Sequence, residues 1–215
     1  AYDLAEGLVS RGKKLGKKKD TVPCSTIDFH VLRDATVLDP EDTLDEYKGR
    51  TQRPFLVGHY APERIGDALT TSSTTGSPQT RDQWKQILRA VATFDGKKPD
   101  APTQTTGDPF PRARANRIVK LLAEGKAEKA ATEWDDALQN APSAGLLSKQ
   151  LKLLPPQPSS SDEACESLEQ IKWLLDLIDL SGNLPDTYLA SRIRRDADIS
   201  GSAEAADDST EGGAQ

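Results

Sequence analysis

Apolar residues recur every three to four positions at the start of the chain. Tyr2, Ala5, Leu8, Val9, Gly12 and Leu15 fall on one face of a helix, with Lys13 and Lys14 in its last turn. Lysines there complement the helix dipole by about 0.3–1 kcal/mol, which accounts for them without any ligand. From Thr21 the period changes to two. Ile27, Phe29 and Val31 alternate with Asp28, His30 and Leu32, the pattern of a strand with one apolar face. RPFLVGHY at 53–60 predicts a second strand, with Pro54 near its start, where a missing N–H is tolerated. The connection DPEDTLDEYKGR is polar, long for a hairpin, and has room for one helical turn.

Past this point the helical period dominates. TTSSTTGSPQT at 70–80 holds nothing apolar to bury and reads as a mobile loop. GKKPDAPTQTTGDPFP at 96–111 reads as a similar break, and no strand signal is seen beyond Thr80. Helices are predicted at 81–94, 111–124, 126–140, 143–154 and 162–180. PPQPSSS interrupts the last two and offers Ser161 as a cap. LPDTYLASRIRRDAD predicts a final helix with Pro185 in its first turn. Trp84, Trp134 and Trp173 are expected in the core of this bundle.

Composition adds limits. The apolar share of 35% before Gly is counted is low for a packed domain, so part of the chain is expected to stay outside any core. The acidic tail from Ile199 onward, GSAEAADDSTEGGAQ, is the natural candidate for that disorder. A net charge of −6 argues against indiscriminate nucleic-acid coating. The basic residues nevertheless crowd one stretch, RGKKLGKKK at 11–19. Cys24 and Cys165 are far apart and only two His are present, so neither a disulfide framework nor a zinc site is indicated, and a reducing cytoplasmic setting is expected. No apolar run approaches the roughly 20 residues of a membrane span. The absence of Met, in a chain that opens directly on helical sequence, leads us to expect part of a longer protein or a trimmed or processed N-terminus.

Catalytic signatures are missing: there is no Walker loop, GxSxG, GxGxxG or metal-ligand cluster. Asp28 and His30 share a strand face and suit either a ligand or, more simply, ties to neighbouring structure. Lys13 and Lys14 suit a polyphosphate as point charges, or a solvated helix end.

The order of motifs narrows the field. YxLAExLxxxxK, a basic turn, SxIDFHVL, a strand beginning RPF, FPRARANRIVKLLAEG and WLLDLIDL together resemble the C-terminal part of the large, polymerase/cyclase-like subunit of type III CRISPR effector complexes. The resemblance covers about residues 1–182 and is most specific at SxIDFHVL and 110–125.

It implies an α+β chain: a partial ferredoxin-like palm, helix plus two strands, followed by a predominantly α-helical bundle. The expected organisation is a palm half at 1–69, a flexible loop at 70–80, a helical domain at 81–195 and a disordered acidic tail at 196–215. It further implies an RNA-guided antiviral complex whose palm makes cyclic oligoadenylate from ATP with Mg or Mn ions. The GGDD carboxylates that would hold those metals are not in this chain, so no catalytic or metal-binding residue is assigned here.

By the resemblance, Lys13 and its weaker neighbour Lys14 would meet the ATP triphosphate, and Asp28 and His30 would brace the strand. Arg112, Arg114 and Arg117 would be candidates for RNA contact. The implied partners are the other effector subunits, small helical ones among them, with guide and target RNA and no membrane. Two alternatives stay open: a helical adaptor without nucleotide chemistry, and a divergent palm subunit that has lost synthesis.

Overall fold

The computed structural model describes residues 2–17, 24–31, 39–46, 50–59, 79–154 and 166–193. Of the loop expected at 70–80, residues 70–78 lie outside the described residues, as do the proposed cap Ser161, Cys165 and the acidic tail, while Gln79 and Thr80 are corrected to helix, because the backbone of the following helical segment already begins there. The elements run α1 (Tyr2–Gly16), β1 (Cys24–Ile27), α2 (Pro40–Glu46), β2 (Phe55–His59), α3 (Gln79–Phe94), β3 (Lys97–Lys98), β4 (Ala101–Thr105), α4 (Arg112–Ala123), α5 (Ala127–Asn140), α6 (Pro142–Leu151), α7 (Glu166–Ile171) and α8 (Leu174–Asn183). A further helix, α9, covers 186–193. The described chain is thus mixed α and β, mostly helical, with two small antiparallel sheets.

The first sheet joins the two predicted strands. β1 and β2 pair antiparallel with Ile27 opposite Phe55 and Cys24 opposite His59, and a register shift falls between Ser25 and Thr26. The strand is shorter than its alternation implies: Asp28 to Val31 continue as irregular chain. Phe29 still packs with Ile27 and Val57 against the core, so the apolar alternation outlasts the ladder.

α1 lies against β1 and β2, on a face that shares Gly12 with the one its pattern predicts but leaves out Tyr2 and Val9. Leu4, Gly12 and Gly16 are buried, whereas Tyr2 is 80% and Val9 53% exposed. The reason is close approach. A Cβ at Gly12 would stand 3.0 Å from Thr26 Oγ1, so Gly12, rather than Tyr2 or Val9, turns toward the sheet. Gly12→Val should therefore push helix and strand apart and cost about 1–3 kcal/mol in urea denaturation. A stability equal to wild type would show that α1 is not seated this way.

Beyond β2 the helices share one core. α3 packs on β2, α6 and α8; α4 packs on α5 and α8; α5 also meets α6 and α7. Trp84, Trp134 and Trp173 are all buried within it, as their place on the helical pattern predicts. A buried indole N–H needs an acceptor. Trp134 Nε1 donates to Gln170 Oε1 at 3.0 Å, and Ser148 Oγ donates to the same oxygen at 2.9 Å. The apolar stretch 162–180 is not one helix: α7 stops at Ile171, and α8 restarts after Trp173.

The expectation of no strand beyond Thr80 is corrected by the β3–β4 hairpin, in which Lys97 pairs with Thr105 and Lys98 with Ala101. Its polar residues give no alternating signal because backbone contacts hold it. Gly96 turns the chain out of α3 at φ 73°, where a Cβ would meet Gly107 O at 2.6 Å. Its carbonyl accepts from Thr106 N, and Phe110 N donates to Phe94 O at 2.9 Å, closing the excursion.

Candidate functional site

Arg53 precedes β2, and its side chain pairs with two carboxylates and a backbone carbonyl. Its guanidinium is almost wholly buried. Nε donates to Asp176 Oδ1 at 2.5 Å, Nη2 donates to Asp179 Oδ2 at 2.7 Å, and Nη1 donates to the Phe29 carbonyl at 2.8 Å. Its carbon end lies 4.2 Å from the Phe29 ring centroid. The backbone N–H of Gln52 donates to the other oxygen of Asp176 at 2.7 Å. One planar cation thus spans β1's continuation, the lead-in to β2, and α8, a task that suits the rigid fork of Arg and not the point charge of Lys.

The cluster extends outward through α1. Arg11 Nη2 donates to the Arg53 carbonyl at 3.2 Å, and Arg11 Nε lies 3.3 Å from Asp28 Oδ2. The Asp28 carboxylate is buried and accepts from Phe29 N at 3.0 Å. Burial pushes the Asp28 carboxyl above its ordinary value, against the opposing pull of Arg11, the Phe29 N–H and Arg53. The same cause acts harder on Asp176, pushed up to about 6 by burial against Arg53 and the Gln52 N–H. Burial alone would weaken the hold of Arg53 on its proton, yet Asp176 and Asp179 together outweigh that and keep the guanidinium charged.

Sequence reading missed Arg53, Asp176 and Asp179, although a signal was present. In WLLDLIDL the two acids stand three apart among residues that are otherwise apolar. A helix buried all round cannot turn them to solvent, so they require an internal cation.

The residues singled out from the sequence fall in separate places. Lys13 and Lys14 are exposed at the C-terminal end of α1. Asp28 joins the arginine cluster, and His30 is half-buried two residues on. Arg112 and Arg117 lie on α4. Arg112 Nη2 is 3.3 Å from Asp95 Oδ1, also bonds Ser181 Oγ, and stands 5.9 Å from the centre of the Phe94 ring. Arg117 Nη2 pairs with Glu133 at 2.7 Å. Arg114 is half-buried. The three arginines are thus not a bare cationic strip: two of them already face carboxylates.

The carboxylates gathered at Arg53 are a poor metal site, being buried and matched to guanidinium groups. Among the described residues no group of three or more His, Cys, Asp or Glu is arranged to hold a metal ion. Nor is any described helix long and apolar enough to cross a membrane. No family model, curated protein or solved structure matches this chain.

Proposed function

We propose that this chain is the trailing part of a nucleotide-handling palm with its helical domain, from the large subunit of a type III CRISPR effector that serves RNA-guided antiviral defence. The observation that carries this reading is the seating of α1 on β1 through Gly12 and Thr26, with Lys13 and Lys14 left exposed at the helix end. A helix laid on a strand pair in this order, followed by a helical bundle, is what the motif order SxIDFHVL, RPF, FPRARANR and WLLDLIDL implies.

In this reading ATP is the substrate and cyclic oligoadenylate the product, and the metal-binding carboxylates belong to the GGDD segment outside this chain. Among the described residues no group of three or more His, Cys, Asp or Glu is arranged to add to that metal site. The exposed ammonium groups of Lys13 and Lys14 would neutralise triphosphate oxygens and orient the nucleotide. The bundle would dock small helical subunits. Guide or target RNA phosphate would have to compete with Asp95 and Glu133 for Arg112 and Arg117, leaving Arg114 the least committed of the three.

The test is a reconstituted effector carrying this chain, assayed for oligoadenylate formation on target RNA. Lys13→Ala with Lys14→Ala should lower product formation about a hundredfold while complex assembly and RNA capture stay intact. Lys149→Ala with Lys152→Ala, on and just after α6, should leave the rate unchanged. Unaltered synthesis in the α1 variant would defeat the assignment. A complex that captures RNA but makes no product even with wild-type lysines would point to a palm that keeps only its architecture.

A helical adaptor is the second reading, favoured by the internal pairing of Arg112 and Arg117 and by Leu146 and Leu153, which stay 43% and 56% exposed. It requires that the α1 lysines be dispensable.

A further inference from the structure

Among the described residues the large apolar side chains left in solvent form two matched pairs. Tyr2 and Val9 on α1 are exposed, as are Leu146 on α6 and Leu153 just after it. The members of each pair stand seven residues apart, so each pair marks one stripe along a helix surface. The opposite faces are occupied: α1 buries Leu4, Gly12 and Gly16, and α6 buries Ala144, Leu147, Ser148 and Leu151. The turn beyond α6 keeps Leu153 on its stripe, since Lys152 N donates to Ser148 O at 3.0 Å and Leu153 N to Gln150 O at 3.1 Å.

We propose that these stripes are the two halves of one self-association contact, in which α1 of one copy of the chain lies antiparallel on α6 of a second copy. The inference goes beyond the palm reading and does not rest on it.

Charge decides both the occupant and the direction. Midway along the α1 stripe stands Glu6, and midway along the other stands Lys149, both exposed. Laid antiparallel, Tyr2 faces Leu153, Val9 faces Leu146 and Glu6 faces Lys149, so every layer is matched. Laid parallel with the same apolar residues aligned, Glu6 would face Gln150 and Lys149 would face Ala5, and neither charge would be paired. Opposite charges fix register and orientation in helix pairs of this kind. Two copies of α1 laid together would instead bring Glu6 beside Glu6, and two of α6 would bring Lys149 beside Lys149, which disfavours both.

One helix laid on another is a small contact, in the class below about 1,200 Å² that marks transient association. Two different surfaces meet in it, so a twofold pair makes the contact twice, and without that symmetry it links copies head to tail. The matched stretch ends at Val9. Lys13 and Lys14 lie outside it, and loss of Lys149 weakens association without touching the nucleotide.

The experiment is sedimentation velocity of the full 215-residue chain over a concentration series reaching about 1 mM, the weak end of specific binding. Wild type should pass from monomer to larger species as concentration rises. Glu6→Lys and Lys149→Glu should each weaken association about tenfold. An equimolar mixture of those two variants should recover it, because every α1–α6 contact between them again pairs opposite charges. Leu146→Glu with Leu153→Glu should abolish association. Should that apolar variant fail to fold, the two charge variants and their mixture decide alone, since both residues are exposed. A wild type that stays monomeric throughout, or charge variants that associate as wild type does, overturns the proposal. So does a mixture that fails to recover what each variant lost, which would put Glu6 and Lys149 in separate contacts.

Discussion

Arg53→Ala is expected to destabilise the chain by about 3–5 kcal/mol, a large share of the roughly 5–15 kcal/mol that holds a typical domain together. The loss comes mainly from what the substitution leaves behind. Asp176 and Asp179 would remain buried with their chief cation gone, and the Phe29 carbonyl would lose a charged donor. Arg53→Lys should recover only part of the loss, because an ammonium cannot bridge both carboxylates and the carbonyl in one plane. The informative control is the triple variant Arg53→Met, Asp176→Leu, Asp179→Leu. Removing both signs of charge together should bring stability back to within about 1–2 kcal/mol of wild type, or above it. Urea denaturation of the four proteins measures this directly. If Arg53→Ala costs less than about 1 kcal/mol, the cluster does not hold the fold together.

Phe55→Ala is expected to cost a similar amount, about 3–5 kcal/mol, through packing alone. Phe55 is fully buried. Its ring stacks on Trp173 with centroids 5.8 Å apart and planes 16° from parallel, and it meets Trp84 at 6.1 Å and Phe29 at 6.2 Å. It is the residue of β2 through which the strand pair enters the helical core. Truncation would open a cavity between two indole rings, neither of which can shift far, since each is fixed on a separate helix or its edge. Phe55→Leu refills much of that volume and should lose about half as much. Tryptophan fluorescence during denaturation reads out the change where it occurs, because two of the three Trp residues line the site. A Phe55→Ala protein as stable as Phe55→Leu would mean that the neighbours collapse into the gap.

Arg53 and Phe55 sit two residues apart and bind the front of the chain to the bundle by different physics. The guanidinium supplies directional, charge-assisted bonds to α8 and to the end of the first strand. The phenyl ring supplies area. Together they make the strand pair and the helices one core, with Ile27, Phe29 and Val57 packed against the same cluster as Leu174 and Leu177. Any nucleotide-handling role for α1 would therefore be mechanically tied to α8 through Arg11, Asp28 and Arg53.

Hydrophobic period alone determined much of this protein. The 3.6-residue pattern located the helices of the bundle and put all three Trp residues inside. Period two marked the neighbourhood of the first strand, though the ladder ends at Ile27 and the alternation runs on into irregular chain, because an element's repeat is set by its own backbone geometry and survives in one dimension. Three things were decided only in three dimensions. The seating of α1 was one: the helical pattern put Gly12 on the same face as Tyr2 and Val9, which stay exposed, and only the close approach to Thr26 shows that the lack of a side chain at Gly12 matters. The β3–β4 hairpin was another, since backbone bonds around Gly96 leave no trace in side-chain pattern. The third was the partnership of Arg53 with Asp176 and Asp179, residues more than 120 positions apart. Two acids within an apolar helix announce that a counter-charge is needed, but which of the chain's cations answers is a property of how strand and helix meet.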